Sequence, residues 1–143
     1  MTTEALVTDA TSPETKIIIY GQGDRRPILG FPNSDTLVSY IKECNHRYRY
    51  TQNKNADIIV LSLDGKAYGH FEIDAKEKPT DEDRADYPPV RCVCIIRKSV
   101  LYVEPVQLSS LDIHVHQFGL KISSEQFDKI NRQAGGLQEF ACS

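Results

Sequence analysis

IIVLSLDGKAYGHFEID, Ile58 to Asp74, decides the fold. Ile58 to Leu63 is an apolar run rich in β-branched residues, the pattern of a buried strand. Asp64-Gly65 follows, a pair suited to a tight hairpin turn. The chain then returns with Tyr68, His70 and Glu72 alternating against Ala67, Gly69, Phe71 and Ile73, the period of a half-exposed strand. Gly69 inside it predicts close approach of another backbone, or a bulge. A hairpin at this point means antiparallel neighbours, so the chain is not a run of βαβ units.

Upstream, KIIIY (Lys16 to Tyr20) reads as a short strand and GQGDRRPILGFP as a loop broken by glycines and prolines. Asn33-Ser34-Asp35 offers N-cap candidates for a helix over DTLVSYIKECNHR. Leu37, Val38, Tyr40, Ile41 and Cys44 fall there at helical spacing. Downstream, KEKPTDEDRADYPP reads as a long acidic loop, RCVCIIRKSVLYVEP as one strand or two, and VQLSSLDI as a connector with turn character. FGLKISSEQFDKINRQAG closes the fold with a helix capped by Ser123 or Ser124 and carrying Phe127 and Ile130. Residues 1–15 read as a disordered lead, 16–132 as a single domain and 133–143 as a frayed tail. The expected class is α+β: a small, curled, mixed or antiparallel β-sheet, or a barrel, flanked by helices.

The chain has 143 residues, a net charge of −3 and a pI near 5.8, which excludes a generic polyanion binder. The charge is uneven. Lys42, Arg47, Arg49 and Lys54 gather against Glu43 alone, while 72–86 carries Glu72, Asp74, Glu77, Asp81, Glu82, Asp83 and Asp86. A basic patch on an acidic protein points to a small or specific anionic partner. The opening residues lack the apolar core of a signal peptide, and no run approaches a membrane span. Cys92 and Cys94 share one face of a strand, and Cys44 and Cys142 are far apart in sequence. The expectation is therefore reduced thiols in a soluble intracellular protein, cytoplasmic, or nuclear in a eukaryote, with no membrane partner.

Motifs for catalysis or cofactors are sparse. His114-Val115-His116 puts two imidazoles on one face of a strand, with Asp112 in the same alternation, but a metal site needs one or two more ligands. Surface histidines and no metal are expected. Cys92-Val93-Cys94 lies within a strand and reads as core thiols rather than a nucleophile. GQGDRRPILG lacks nucleotide-loop spacing, and Pro27 and Pro32 interrupt it, so no cofactor is expected. Arg25 and Arg26 with Asn33 and Ser34 at a helix start still make a place for one anionic or hydrogen-bonding group. The carboxylates of 72–86 read as a solvated face.

The aromatics remain. Tyr48, Tyr50 and Tyr87 flank expected strands beside charged residues. A flat base can stack on such rings, gaining ~1–3 kcal/mol, and neighbouring arginines can hold phosphates. The alternative is a ring packed on the core with its hydroxyl in water.

From Lys16 to Ile130 the order of segments resembles the PUA-like superfamily, and within it the YTH and EVE domains. The resemblance is carried by NSDTLVSYIK at the helix start, RYRYTQ ahead of a buried strand, the hairpin IIVLSLDGKAYGHFEI with its small residue Gly69, DYPPVRCVCIIRK, VEPVQLSSL and ISSEQFDKI. It implies a non-catalytic module that reads a modified base, methylated and flipped into an aromatic pocket, in DNA or RNA. Tyr48 or Tyr50, and Tyr87, match the wall positions. In the family, polar groups from the first loop and helix start read the base edge; Asn33, Ser34 and Thr51 stand nearby in this sequence. This chain departs from the family in having no tryptophan, so tyrosines stand where the walls are usually indole. Arg47 and Arg49, with Arg25, Arg26 and Lys54, are then the candidates for the sugar-phosphate backbone. Such domains also occur as the DNA-reading part of modification-dependent restriction endonucleases, which implies an effector nuclease or ATPase domain in the same or another chain. The alternatives are a PUA-like hydrolase acting on RNA or modified nucleosides, whose Lys- and Glu-containing motif is not recognisable here, and a protein-interaction adaptor.

Overall fold

The computed structural model describes residues 12, 14–22, 33–44, 46–50, 56–114 and 120–142. Along the chain lie β1 (Ile17–Gln22), α1 (Ser34–Glu43), β2 (Arg47–Tyr50), β3 (Ile58–Leu63), β4 (Lys66–Glu77) and α2 (Asp81–Asp86). There follow β5 (Cys92–Gln107), a 3-10 turn (Leu108–Leu111), β6 (Leu120–Ile122), α3 (Ser124–Gln133) and β7 (Leu137–Ala141). The described strands form one mixed sheet in the order β2-β5-β4-β3-β1-β6, with β7 on β5. The expected α+β class with a curled mixed sheet is what the chain forms.

The β3–β4 hairpin turns at Asp64 (φ 52°) and Gly65 (φ 79°), both left-handed, as its two-residue loop requires. β4 then pairs with β5 through register shifts at Ala67/Gly69, Glu72/Ile73 and Ile73/Ala75, which bend the pair and curl the sheet. β4 occupies one edge of the 16-residue β5. β2 and β7 share the other edge, at Cys92–Ile95 and Lys98–Tyr102 respectively. Both readings of Gly69 hold: it adjoins a bulge, and a Cβ there would strike the Val100 carbonyl oxygen and come within 3.0 Å of Ile41 Cδ1. Gly69→Ala is expected to cost about 2 kcal/mol, because the obstacle is backbone rather than a movable side chain. Denaturant unfolding of the variant checks it.

Period-two alternation sends most apolar side chains to two larger cores, beside a smaller cluster of Val90, Val93 and Ile95. On one face, Ile18 and Tyr20 of β1, Ile59 and Leu61 of β3, Phe71 of β4 and Ile96 of β5 pack under Leu37 and Ile41 of α1. On the other, Ile17, Ile19, Val60, Val100 and Tyr102 pack under Phe127 and Ile130 of α3 and Leu108 of the 3-10 turn. α3 is capped at Ser123, whose hydroxyl accepts from Gln126 N while Gln126 reaches back to Ser123 N, one of the two caps expected.

Several expectations give way. The first helix stops at Glu43, because Cys44 turns left-handed (φ 52°, ψ 56°), and Arg47–Tyr50 is itself a strand. The acidic stretch is not all loop: β4 runs to Glu77, and α2 forms behind a Thr80–Asp83 capping box. Of the two readings of RCVCIIRKSVLYVEP, the single strand holds, as β5. The expected frayed tail contains β7. His70 is not on a half-exposed face; α3 covers it. The lead over 1–15 falls largely outside the described residues. Cys44 and Cys142 are joined in a disulfide with Cα atoms 5.1 Å apart, so the expectation of four reduced thiols fails for this pair and holds for Cys92 and Cys94. Among the described residues, no helix is long and apolar enough to cross a membrane.

Candidate functional site

β2 pairs antiparallel with β5, setting Tyr48 opposite Cys94, Tyr50 opposite Cys92, Arg47 opposite Ile95 and Arg49 opposite Val93. Opposed residues share a face. Tyr48 and Tyr50 therefore enter the core under α1, and Arg47 and Arg49 stand on the reverse side.

Under α1 the rings form a cluster. Tyr20 lies edge-on to Tyr50 at 5.3 Å between centroids, and Tyr48 edge-on to Phe71 at 5.4 Å. Tyr48 and Tyr50 are 6.0 Å apart, and Tyr40 of α1 tilts over Phe71 at 5.9 Å and Tyr48 at 6.4 Å. Tyr48 and Tyr50 are 3% and 0% exposed, and neither hydroxyl has a hydrogen-bond partner among the described residues. Such an orphan costs ~1–3 kcal/mol of desolvation, so two in one cluster require a reason. Burial pushes both phenols up, and raises half-buried Tyr40 to about 12. All three are neutral hydrogen-bond donors at physiological pH. In chain order, 23–32 joins β1, which carries Tyr20, to the start of α1, and 51–55 follows Tyr50. Arg25, Arg26, Thr51 and Lys54 belong to these segments and lie outside the described residues.

On the reverse side, Asp83 of α2 takes both arginines. Arg47 Nη1 and Nη2 donate to its two oxygens at 3.0 and 2.8 Å, and Arg49 Nε donates to Oδ1 at 3.0 Å. Arg49 Nη2 reaches Asp86 at 3.2 Å, and Thr80 N donates to Asp83 Oδ2 at 2.8 Å. The Arg47 bond, then those of Thr80 and Arg49, hold the Asp83 carboxyl well below the usual range. The pair expected to meet phosphate is thus engaged by carboxylates, with 39% of the Arg47 side chain and 34% of Arg49 still exposed. A depressed carboxyl contributes stability above its unfolded pKa of ~4 and loses it as pH falls through the folded value. Asp83→Asn is expected to lower the melting temperature near pH 7 and to flatten its fall below about pH 4. Melts across that range check both.

The remaining expected site residues that are described lie on or beside elements other than β2. Tyr87 packs half-buried against Val90, Val93 and Ile95, on the arginine side of the β2–β5 pair, and does not meet Tyr48 or Tyr50. Asn33 caps α1, its Oδ1 accepting from Thr36 N and Oγ1 at 2.9 Å each, and half-buried Ser34 opens the helix. His114 sits 3.4 Å from Asp112, and His116 lies outside the described residues. No group of three or more potential metal ligands occurs among the described residues. A shallow cleft of about 440 Å³, lined by Ser110, Asp112, Lys129 and Arg132, lies between the 3-10 turn and α3. Tyr20, Tyr40 and Phe71 complete the ring cluster and were not among the expected site residues. Their signal was positional: Tyr40 shares the inner helix face with Leu37, and Phe71 shares a strand face with Gly69.

No family model and no curated protein matches the chain. Its fold is similar to that of the YTH domain of the Zygosaccharomyces rouxii MRB1 protein, solved in complex with N6-methyladenosine RNA. The TM-score is 0.50 over 93% of this chain and 96% of that one, at 10% sequence identity. The fold is YTH-like.

Proposed function

We propose that the protein is a non-catalytic reader of a modified base in RNA, and that the base is held at the tyrosine cluster under α1. The observation that carries this reading is the pair of buried, unpartnered hydroxyls on Tyr48 and Tyr50 within a wall of aromatic rings. A base edge offers ring nitrogens as acceptors for two such donors, and an aromatic wall offers the stacking partner. The YTH-like fold supports the choice of ligand, since the similar domain was solved with methylated RNA. Tyr48 and Tyr50 are packed shut, so the base is admitted by rotation of half-buried Tyr40 at the rim. Single-stranded RNA suits this site, because its splayed bases need little unpairing. Asn33 and Ser34 at the α1 start, with Thr51, are the proposed base-edge contacts. Arg25, Arg26 and Lys54 are the proposed phosphate contacts, joined by the outward donors of Arg47 and Arg49.

Fluorescence anisotropy at one salt concentration tests the reading. The probes are matched RNA and DNA oligonucleotides, unmodified or carrying N6-methyladenine, 5-methylcytosine or 5-hydroxymethylcytosine. At least tenfold preference for a modified RNA, about 1.4 kcal/mol, is expected. Equal affinity for all probes defeats the reader, and preference for modified DNA redirects it to the restriction-type setting. Tyr50→Phe separates ring from hydroxyl. It should weaken the modified probe about tenfold while leaving folding stability unchanged or raised by up to ~1 kcal/mol, since an unsatisfied buried group is removed. Wild-type affinity in Tyr50→Phe means that the hydroxyl does not touch the ligand.

A further inference from the structure

We propose that Cys44 and Cys142 are a reversible thiol–disulfide pair whose reactants are small thiols and disulfides of the glutathione class, and that its state sets how firmly β2 is held on the sheet. That this in turn governs base binding rests on the reading above; the effect on β2 does not.

The bond sits at a structural seam. β2 and β7 share one edge of β5, with β2 ending its register at Ile95 and β7 beginning at Lys98. Between them, among the described residues, the edge has two backbone hydrogen bonds, Ile96 N to His46 O at 2.8 Å and Cys142 N to Arg97 O at 3.3 Å. The disulfide crosses this gap and ties the residue that ends α1 to the residue that follows β7, 98 positions away. Cys44 is also where the chain turns from α1 into β2, in a left-handed conformation that glycine or asparagine would adopt at less cost. β2 has four residues, two of them the tyrosines of the cluster. A strand this short, paired on one side among the described elements, depends on what anchors its start.

The chemistry is reversible and balanced. Cys142 is the more exposed partner, so a glutathione thiolate attacks its sulfur. The S–S bond breaks, Cys44 leaves as a thiolate and takes a proton from water, and Cys142 is left in a mixed disulfide. A second glutathione thiolate attacks the glutathione sulfur of that bond and releases the Cys142 thiolate, which is protonated. The protein bond gains two electrons and two protons, and two glutathione thiols become one glutathione disulfide. The reverse sequence re-forms the tie. The Phe140 carbonyl oxygen lies 3.2 Å from Cys44 Sγ, so the thiol released by reduction has an acceptor in place. Cys92 and Cys94, buried beneath the tyrosines, take no part and serve as an internal control for thiol counting.

The test uses the full chain in buffers of graded glutathione to glutathione-disulfide ratio, with alkylation and mass spectrometry to count thiols. Hydrogen exchange of the backbone amides is followed in parallel. Cys44 and Cys142 are expected to convert together. On reduction, the amides of Arg47–Tyr50 and Leu137–Ala141 should exchange at least tenfold faster while those of α3 do not change. Cys142→Ser should show the fast exchange in every buffer. If Cys44 and Cys142 remain thiols in excess glutathione disulfide, or if β2 exchanges at one rate in both states, the proposal is overturned. Affinity for methylated RNA, measured in the same buffers, should fall at least fivefold on reduction. A responding β2 with unchanged affinity overturns the regulatory half. Absence of RNA binding in both states overturns the reader instead, and exchange alone then decides the pair.

Discussion

Lowering the pH from about 6.5 to about 4 is expected to remove about 3 kcal/mol of folding stability through His70 alone. His70 is 4% exposed, with Nδ1 2.9 Å from the Tyr102 hydroxyl and its ring edge-on to Phe127 of α3 at 5.0 Å. Burial brings its pKa down to about 4, with Lys98 adding to the effect and Glu72 opposing it. In the unfolded chain the imidazole titrates near 6.5. Between the two values the unfolded state carries a proton that the folded state refuses. Stability therefore falls with pH across that window, by up to about 1.4 kcal/mol per pH unit, and is insensitive to His70 above it.

His70→Gln isolates the contribution. Glutamine can still hydrogen-bond to the Tyr102 hydroxyl but does not titrate. Guanidinium unfolding at intervals between about pH 7 and pH 4 should show the wild type losing stability faster than the variant, by about one proton's worth of slope. The Asp83 and Glu72 carboxyls, both depressed, act in the same direction but mostly below about pH 4, so the window above about pH 4.5 belongs to the histidine. Equal slopes for the two proteins would mean that His70 is protonated in the fold, which its apolar roof disfavours.

Much of this arrangement was legible in particular residues, and the failures have physical causes. The central hairpin was readable because a buried β-branched run, Asp64-Gly65 and an alternating return agree with one another. His70 was misjudged because alternation tells which residues share a face, not whether a helix covers it; α3 comes from some fifty residues downstream. The helix reading ran on to Arg47, the first residue of β2, because Leu37, Val38, Tyr40, Ile41 and Cys44 carry helical spacing almost up to it. Yet Arg47-Tyr48-Arg49-Tyr50 has a period of two, and that period decided the structure: tyrosines inward, arginines outward. The carboxylate bonds of Arg47 and Arg49 were not legible, because their partner, Asp83, sits in a run of acids that looked solvated. The signal was Thr80-x-x-Asp83, a capping box that orients one of those acids, while bonds to Arg47 and Arg49 hold it buried. The tyrosine cluster was half legible: Tyr48 and Tyr50 were marked by their setting, but Tyr20 and Phe71 join them only once β1, β3 and β4 are side by side. Pairing of Cys44 with Cys142 could not be read at all, since it depends on β2 and β7 meeting the same edge of β5.

Loss of the Cys44–Cys142 bond should be the most destabilising single change considered for this protein, at about 4 kcal/mol. The effect acts through the unfolded chain. A bridge between residues 98 apart in sequence closes a loop of about two-thirds of the 143-residue chain. In the chain-entropy account, closing a loop of ~100 residues restricts the unfolded ensemble by about 4.7 kcal/mol, somewhat reduced by residual compactness. This cost is global, unlike the local release of β2, and the two are separable. Guanidinium unfolding of the oxidised protein, of the same protein with dithiothreitol, and of Cys142→Ser should place the last two together, about 4 kcal/mol below the first. The denaturant slope should also be steeper without the bond, because the uncrosslinked chain exposes more surface on unfolding. Cys142→Ser must be indifferent to dithiothreitol, which guards against effects at Cys92 and Cys94. A difference below about 1 kcal/mol with unchanged slope would show that the unfolded chain already keeps the α1–β2 joint near β7, so that loop closure adds little to the stability of this fold.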